Sequence, residues 1–151
     1  MPKVLRLPPR SAVKPADTWD LSSLCTTDAQ WEELFQKLDK QIAGFEKFRG
    51  KLGESAKVLA SCLKFDCDFD RLAERVGGYA HLKITEDQAN STYQAMVARF
   101  QNLATRASQA ASYIRPEILA LPKPLLDKYL AAKELAPFRL VLERIIRRMG
   151  L

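Results

Sequence analysis

The chain has a single histidine, His81, among its 151 residues. A zinc site of the H-E-x-x-H kind needs two imidazoles one helical turn apart, so this chain cannot build one. Cysteine is scarce as well. Cys25, Cys62 and Cys67 are odd in number, and Cys62 and Cys67 do not make a C-x-x-C. They read as reduced thiols, which fits a cytoplasmic protein. No apolar run approaches the roughly 20 residues of a membrane span. The start, M-P-K-V-L-R-L-P-P-R, lacks the apolar stretch of a signal peptide. There is no P-loop, no G-x-G-x-x-G and no G-x-S-x-G. No stretch alternates as a strand or hairpin would.

What remains is ordinary for a soluble globular domain. Apolar residues make up 47% of the chain and charged residues 28%. A chain of this length suits one domain with a sizeable core. The net charge of +6 permits nucleic-acid binding without arguing for it. Basic residues are spread along the chain, and the densest group is Arg139, Arg144, Arg147 and Arg148. No nucleic-acid motif accompanies that group, so it reads as a solvated helix face.

Residues 1–17 contain Pro2, Pro8, Pro9 and Pro15 and read as an extended or disordered leader. T-W-D-L-S-S-L-C follows, with one of only two tryptophans. Trp19 and Leu21 are expected to dock this segment on the first helices, because a tryptophan buries a large area. Thr27 and Gln30 form a capping box. Trp31, Leu34, Phe35, Leu38, Ile42 and Phe45 then follow at helical spacing, over roughly 30 Å. Gly50 and Gly53 end that segment.

A second element starts near Ser55, with Val58, Leu59, Cys62 and Leu63 on one side. Beyond D-C-D-F-D it resumes with Phe69, Leu72, Val76, Tyr79 and Ala80, as one kinked helix or two. Gly77-Gly78 inside it implies a close helix contact or a bend. Asn90 or Ser91 caps a third helix, whose stripe runs Tyr93, Met96, Val97, Phe100, Leu103, Ala104, Ala107, Ala111 and Ile114. Pro116 kinks or ends it. L-P-K-P at 121–124 reads as a turn, followed by a short helix through Leu130. A last helix starts near Pro137 and carries Phe138, Leu142, Ile145, Ile146 and Met149. The expected fold is all-α, a bundle-like antiparallel array of about 4–6 long helices with no sheet.

Residue chemistry gives no catalytic, cofactor-binding or metal-binding assignment. His81, beside Tyr79 and Leu82, reads as a packed or surface residue. Asp66, Asp68 and Asp70 fit the first, third and fifth positions of a calcium loop. Arg71 stands where the loop needs glycine and Gly77 where it needs glutamate, so the match fails. The acidic run reads instead as charges near a helix N-terminus. Cys62 reads as core.

The order and spacing of several segments carry a resemblance. T-W-D-L-S-S-L, T-D-A-Q-W-E-E-L, F-R-G-K-L-G-E-S-A, Y-A-H-L-K-I-T-E-D-Q-A-N-S-T-Y-Q-A-M and L-A-T-R-A-S-Q-A-A-S-Y-I-R-P-E-I-L-A-L-P together resemble the N-terminal region of the oligoendopeptidase F family of zinc metallopeptidases. L-A-P-F-R-L-V-L-E-R-I-I-R-R resembles the end of that region. The resemblance covers residues 17 to 148. It implies a helical N-terminal domain over residues 18–151 and a larger catalytic domain absent from this chain. That larger domain carries the zinc and the H-E-x-x-H. The two parts enclose a channel that admits short peptides. The implied chemistry is hydrolysis in which zinc polarises the carbonyl and activates water. None of the family's catalytic residues falls in the matched part, so none is carried over. Gly77-Gly78 departs from the bulkier residues usual there.

The implied role is non-catalytic, walling the channel, and the chain alone should be inactive. Its partners would be the catalytic domain of the same polypeptide and, for the whole enzyme, short peptides. The alternative is a stand-alone interaction module, self-associating through the face a catalytic domain would cover. No membrane partner is expected, and nucleic acid is disfavoured. The chain stops at R-R-M-G-L, where a linker to another domain is expected.

Overall fold

The structure, a computed structural model, describes residues 8–147. Arg148 and Met149, expected in the last helix, lie outside the described residues. Among the described residues there are six α-helices: α1 (Asp28–Gln41), α2 (Ala56–Glu86), α3 (Ser91–Ala111), α4 (Ile114–Leu119), α5 (Lys123–Leu130) and α6 (Arg139–Arg147). Short 3₁₀ turns fill several of the connections, and no strand occurs among the described residues. The fold is all-α, as the helical spacing predicts. The long antiparallel part is α1, α2 and α3, and three short helices close one end.

Helix α2 is the spine. Its 31 residues run unbroken from an N-cap at Ser55, whose side chain accepts the Val58 N–H. At 1.5 Å per residue this is about 46 Å of helix. D-C-D-F-D neither breaks nor starts it. The acidic run lies mid-helix, so the reading of charges at a helix N-terminus is wrong. The residues of this run form helix without strain, because Phe69 points inward and Asp68 is held by Lys64 and Arg71 one turn away on either side. Leu59, Cys62, Val76 and Ala80 are fully buried along its inner side.

Helix α1 pairs antiparallel with the far half of α2. The Thr27 side chain accepts the Gln30 N–H at 3.1 Å. Gln30 in turn accepts the N–H of Thr26 at 2.7 Å, one residue outside the expected box. The apolar stripe is longer than the α-helix. It continues from Gln41 into a 3₁₀ stretch, Ile42–Lys47, which carries Phe45 into the core. Gly44 lies in that stretch, and glycine weakens an α-helix by about 1 kcal/mol. Phe45 packs edge-on against Phe65 and Phe69 of α2. The Tyr113 hydroxyl donates to the Phe45 carbonyl at 2.6 Å. Glu117 of α4 accepts the N–H groups of Gly50 and Leu52 at 2.9 and 2.8 Å, which pins the loop before α2.

The Asn90 side chain accepts the N–H groups of Thr92 and Tyr93 and caps α3. Two residues of the expected α3 stripe are misplaced: Ala104 is exposed, because α2 and the Phe45 turn cover only part of that helix, and Ile114 is buried but opens α4, since α3 ends at Ala111. Pro116 does not end α3. It sits in the first turn of α4, where its missing N–H has no helical partner to lose. L-P-K-P is not wholly a turn, since Pro122 caps α5 and Lys123 and Pro124 begin it. Pro137 belongs to a 3₁₀ turn, Lys133–Phe138, and α6 starts after it.

The segment before α1 departs from expectation at Trp19. Trp19 is 69% exposed and does not dock. It lines a mainly polar pocket with the charged groups of Arg10, Lys83 and Glu86 and the hydroxyls of Ser22 and Thr26, which offer little apolar area. Leu21 does pack on the core, as expected, joined by Leu24, and Cys25 is buried. The Arg75 guanidinium donates to the Leu24 carbonyl from α2.

The two glycines of α2 have opposite surroundings. A Cβ on Gly77 would meet the Phe100 ring of α3 at 2.4 Å, so the pair marks a close contact and not a bend. A Cβ on Gly78 would meet only Leu24, at an ordinary 3.7 Å. Gly78→Ala is expected to raise stability by about 0.5–1 kcal/mol through helix propensity. Gly77→Ala is expected to lower it by about 1–2 kcal/mol, because Phe100 must give up its seat. Urea unfolding of both variants checks this, and equal effects would count against the α2–α3 contact.

Candidate functional site

The residues that looked most like chemistry sit apart from one another. His81 is exposed on α2, with Nδ1 2.8 Å from the Gly77 carbonyl, so that nitrogen carries the proton and donates. Its ring meets Phe100 edge-on. Cys62 is buried, and burial pushes its thiol up to about 11. Cys67 is exposed, and partial desolvation followed by the nearby carboxylates also raises its thiol. Burial raises Cys25. All three therefore stay protonated near neutrality, and a protonated thiol is a poor nucleophile. Among the described residues no group of three or more His, Cys, Asp or Glu side chains is placed to hold a metal ion.

Tertiary packing builds three polar features that single-chain spacing did not reveal. At the α1–α3 face, Arg99 donates two hydrogen bonds to Glu32, each 2.7 Å. The same guanidinium lies 4.4 Å from the Phe35 ring and 5.3 Å from that of Trp31. The hydrogen bonds from Arg99 hold the Glu32 carboxyl down at about 2. Near the end of α2, the nearly buried Glu86 accepts from Arg10 at 3.1 Å and pairs with Lys83 at 3.6 Å. Beside it the Tyr79 hydroxyl donates to Asp28 at 2.6 Å.

The third feature is a groove of about 220 Å³ between α2 and α3. Asp66 and Asp70 line one wall, Ala107, Ser108 and Ala111 the other, with Phe45 and Phe69 below. Burial, and then the charge of Asp70, push the Asp66 carboxyl up to about 6. The i, i+4 spacing of Asp66, Asp70 and Glu74 is legible in the sequence. That small residues of α3 would face it was not. None of the three features pairs a nucleophile with a base. Charges are satisfied in the first two, and the groove offers two carboxylates and the Ser108 hydroxyl. Among the described residues the three features are polar surfaces.

Comparison with known proteins turns that observation into a class. The chain superimposes on the crystal structure of a candidate peptidase from Chlamydophila abortus with a TM-score of 0.85 and 25% identity, covering 94% of this chain and 24% of the other. It superimposes on oligoendopeptidase-F from Enterococcus faecium with a TM-score of 0.72 and 30% identity, covering 80% and 24%. The fold therefore defines a helical domain that forms part of larger proteins. In sequence it is 36% identical over 135 residues to oligopeptidase PepF of Bacillus subtilis and 27% identical over 139 residues to oligoendopeptidase F of Lactococcus lactis. These matches cover 87% and 90% of this chain, but 20% and 23% of the relatives. No protein-family model matches. The chain belongs to the oligoendopeptidase F family and corresponds to its N-terminal domain. It spans about a fifth of the length of the curated relatives it matches.

The raised carboxyl gives the groove a pH signature. An unfolded aspartate titrates near 3.9 and the folded Asp66 at about 6, so the folded state holds its proton more tightly. The contribution of Asp66 to stability is therefore fully present below about pH 4, falls as pH rises from about 4 to about 6, and is level above. Asp66→Asn is expected to be more stable than the parent at pH 7, by about 1 kcal/mol once solvent screening of a partly buried group is allowed for. The gap should close by about pH 4. Thermal melts at the two pH values decide it, and a gap independent of pH would refute the assignment.

Proposed function

We propose that this chain is the non-catalytic N-terminal helical domain of an oligoendopeptidase F-type zinc metalloendopeptidase that cleaves short peptides, with the helical array walling the substrate channel. The observation that carries this reading is the pairing of nearly complete coverage of this chain with a quarter or less of each relative. The domain begins at residue 18 in this reading, after the leader. A location in the cytoplasm accords with the reduced thiols. No helix among the described residues is long and apolar enough to cross a membrane.

Zinc in this reading is held outside the chain. The sequence offers one histidine and no ligand cluster among the described residues, so its own side chains do not fit the metal. What they supply is a stiff wall. The three long helices are clamped by buried contacts and by bonds from Trp31, Tyr79 and Tyr113.

A second reading rests on the exposed apolar side chains Trp19, Leu140 and Val141. It makes the domain a stand-alone interaction module that self-associates or binds another protein. Concentration-dependent sedimentation of the 151-residue chain would favour it.

The 151-residue chain alone is expected to hydrolyse no quenched fluorescent peptide, with or without added zinc. Put in place of the matched segment of the Bacillus subtilis relative, it should restore a folded protein that hydrolyses such a peptide. A chimera that fails to fold or to hydrolyse would overturn the proposed role.

A further inference from the structure

Helix α6 presents two different faces. Leu142 is buried, and Ile145 and Ile146 pack inward on the core. On the other side Leu140 is 69% exposed and Val141 44%. They are two of the three large apolar side chains exposed among the described residues, and they are adjacent. Arg139, Arg144 and Arg147 flank them, all exposed. None of the three forms an ion pair among the described residues. An apolar pair framed by free guanidinium groups has the make-up of an interface centre with a charged rim.

The charges choose between occupants. A second copy laid face to face would bring these arginines against one another, and like charges across an interface cost affinity. The fitting partner is an apolar protein surface rimmed by carboxylates. In the relatives the matched part is N-terminal and accounts for about a fifth of the protein. The remaining polypeptide must pack somewhere on this domain, and α6 is the described helix nearest to where those relatives continue.

We infer that the outer face of α6, centred on Leu140 and Val141, is where the rest of the family's polypeptide docks, apolar at the centre and acidic at the rim. The inference rests on the domain reading proposed above, and the test separates the two. Leu140→Asp and Val141→Asp are introduced together, into the 151-residue chain and into the chimera with the Bacillus subtilis relative. In the chain alone the pair should shift the melting temperature by less than about 2 °C, since both side chains face water. In the chimera it should lower the melting temperature by more than about 5 °C and peptide hydrolysis by at least about tenfold, as expected for charges buried at an interface centre. Trp19→Ser in the same chimera should do neither.

An active parent chimera that the aspartate pair leaves unchanged overturns the docking surface and spares the domain reading. A parent chimera that never folds removes the domain reading and the surface with it. Loss of fold in the isolated double variant would show that the face is structural within the domain, and would also overturn the inference. Dimerisation of the parent chain, or its binding to phosphatidylserine vesicles, abolished by the pair while the chimera is unaffected, would assign the face to a second copy or to a lipid surface instead.

Discussion

The hydrogen bond from the Trp31 indole to the Val76 carbonyl, 2.8 Å long and fully buried, sets the relation between the first two helices. An indole N–H left without a partner in this core would cost about 1–3 kcal/mol, so α1 has one favourable register on α2. Trp31 then stacks on Phe35, and Arg99 of α3 covers both rings while holding Glu32. One side chain thus locates three helices. The neighbouring bond from Tyr79 to Asp28 sets the same register a turn away.

From that register the rest follows by antiparallel run. As α1 descends, its residues meet earlier positions on α2, until Phe45 seats between Phe65 and Phe69. As α3 returns, Tyr93 meets the end of α2, Phe100 meets Gly77, and Tyr113 reaches Cys62 and Phe45. The close approach at Gly77 is possible only because glycine has no side chain to exclude the Phe100 ring. Further along, the Asp66–Asp70 wall and the alanines of α3 leave a groove unfilled.

The chain has one histidine, and burial, with nearby carboxylates at Cys67, keeps its three thiols protonated. Its helices are joined by buried contacts and by side-chain hydrogen bonds from Trp31, Tyr79 and Tyr113. The proposed function uses a division: the domain contributes geometry, and the chemistry belongs to the remainder of the polypeptide.

Sequence alone determined the helical class, the cap at Thr27, the helix starts near Ser55 and at Asn90 or Ser91, and the stripes of α1 and α2. Each of these is a local matter of side-chain spacing and of hydroxyl or amide groups beside a helix start. It determined the family too, because the order of the segments survives without any knowledge of their contacts. Tertiary structure decided what depends on neighbours distant in the chain. D-C-D-F-D stays helical because Phe69 and Cys62 are buried on one side while Lys64 and Arg71 hold Asp68 on the other. Trp19 stays in water because Leu21, Leu24 and Cys25 take the apolar seats. Ala104 is exposed because nothing covers that arc of α3. In each case local preference was equal among alternatives, and the position of a second helix broke the tie.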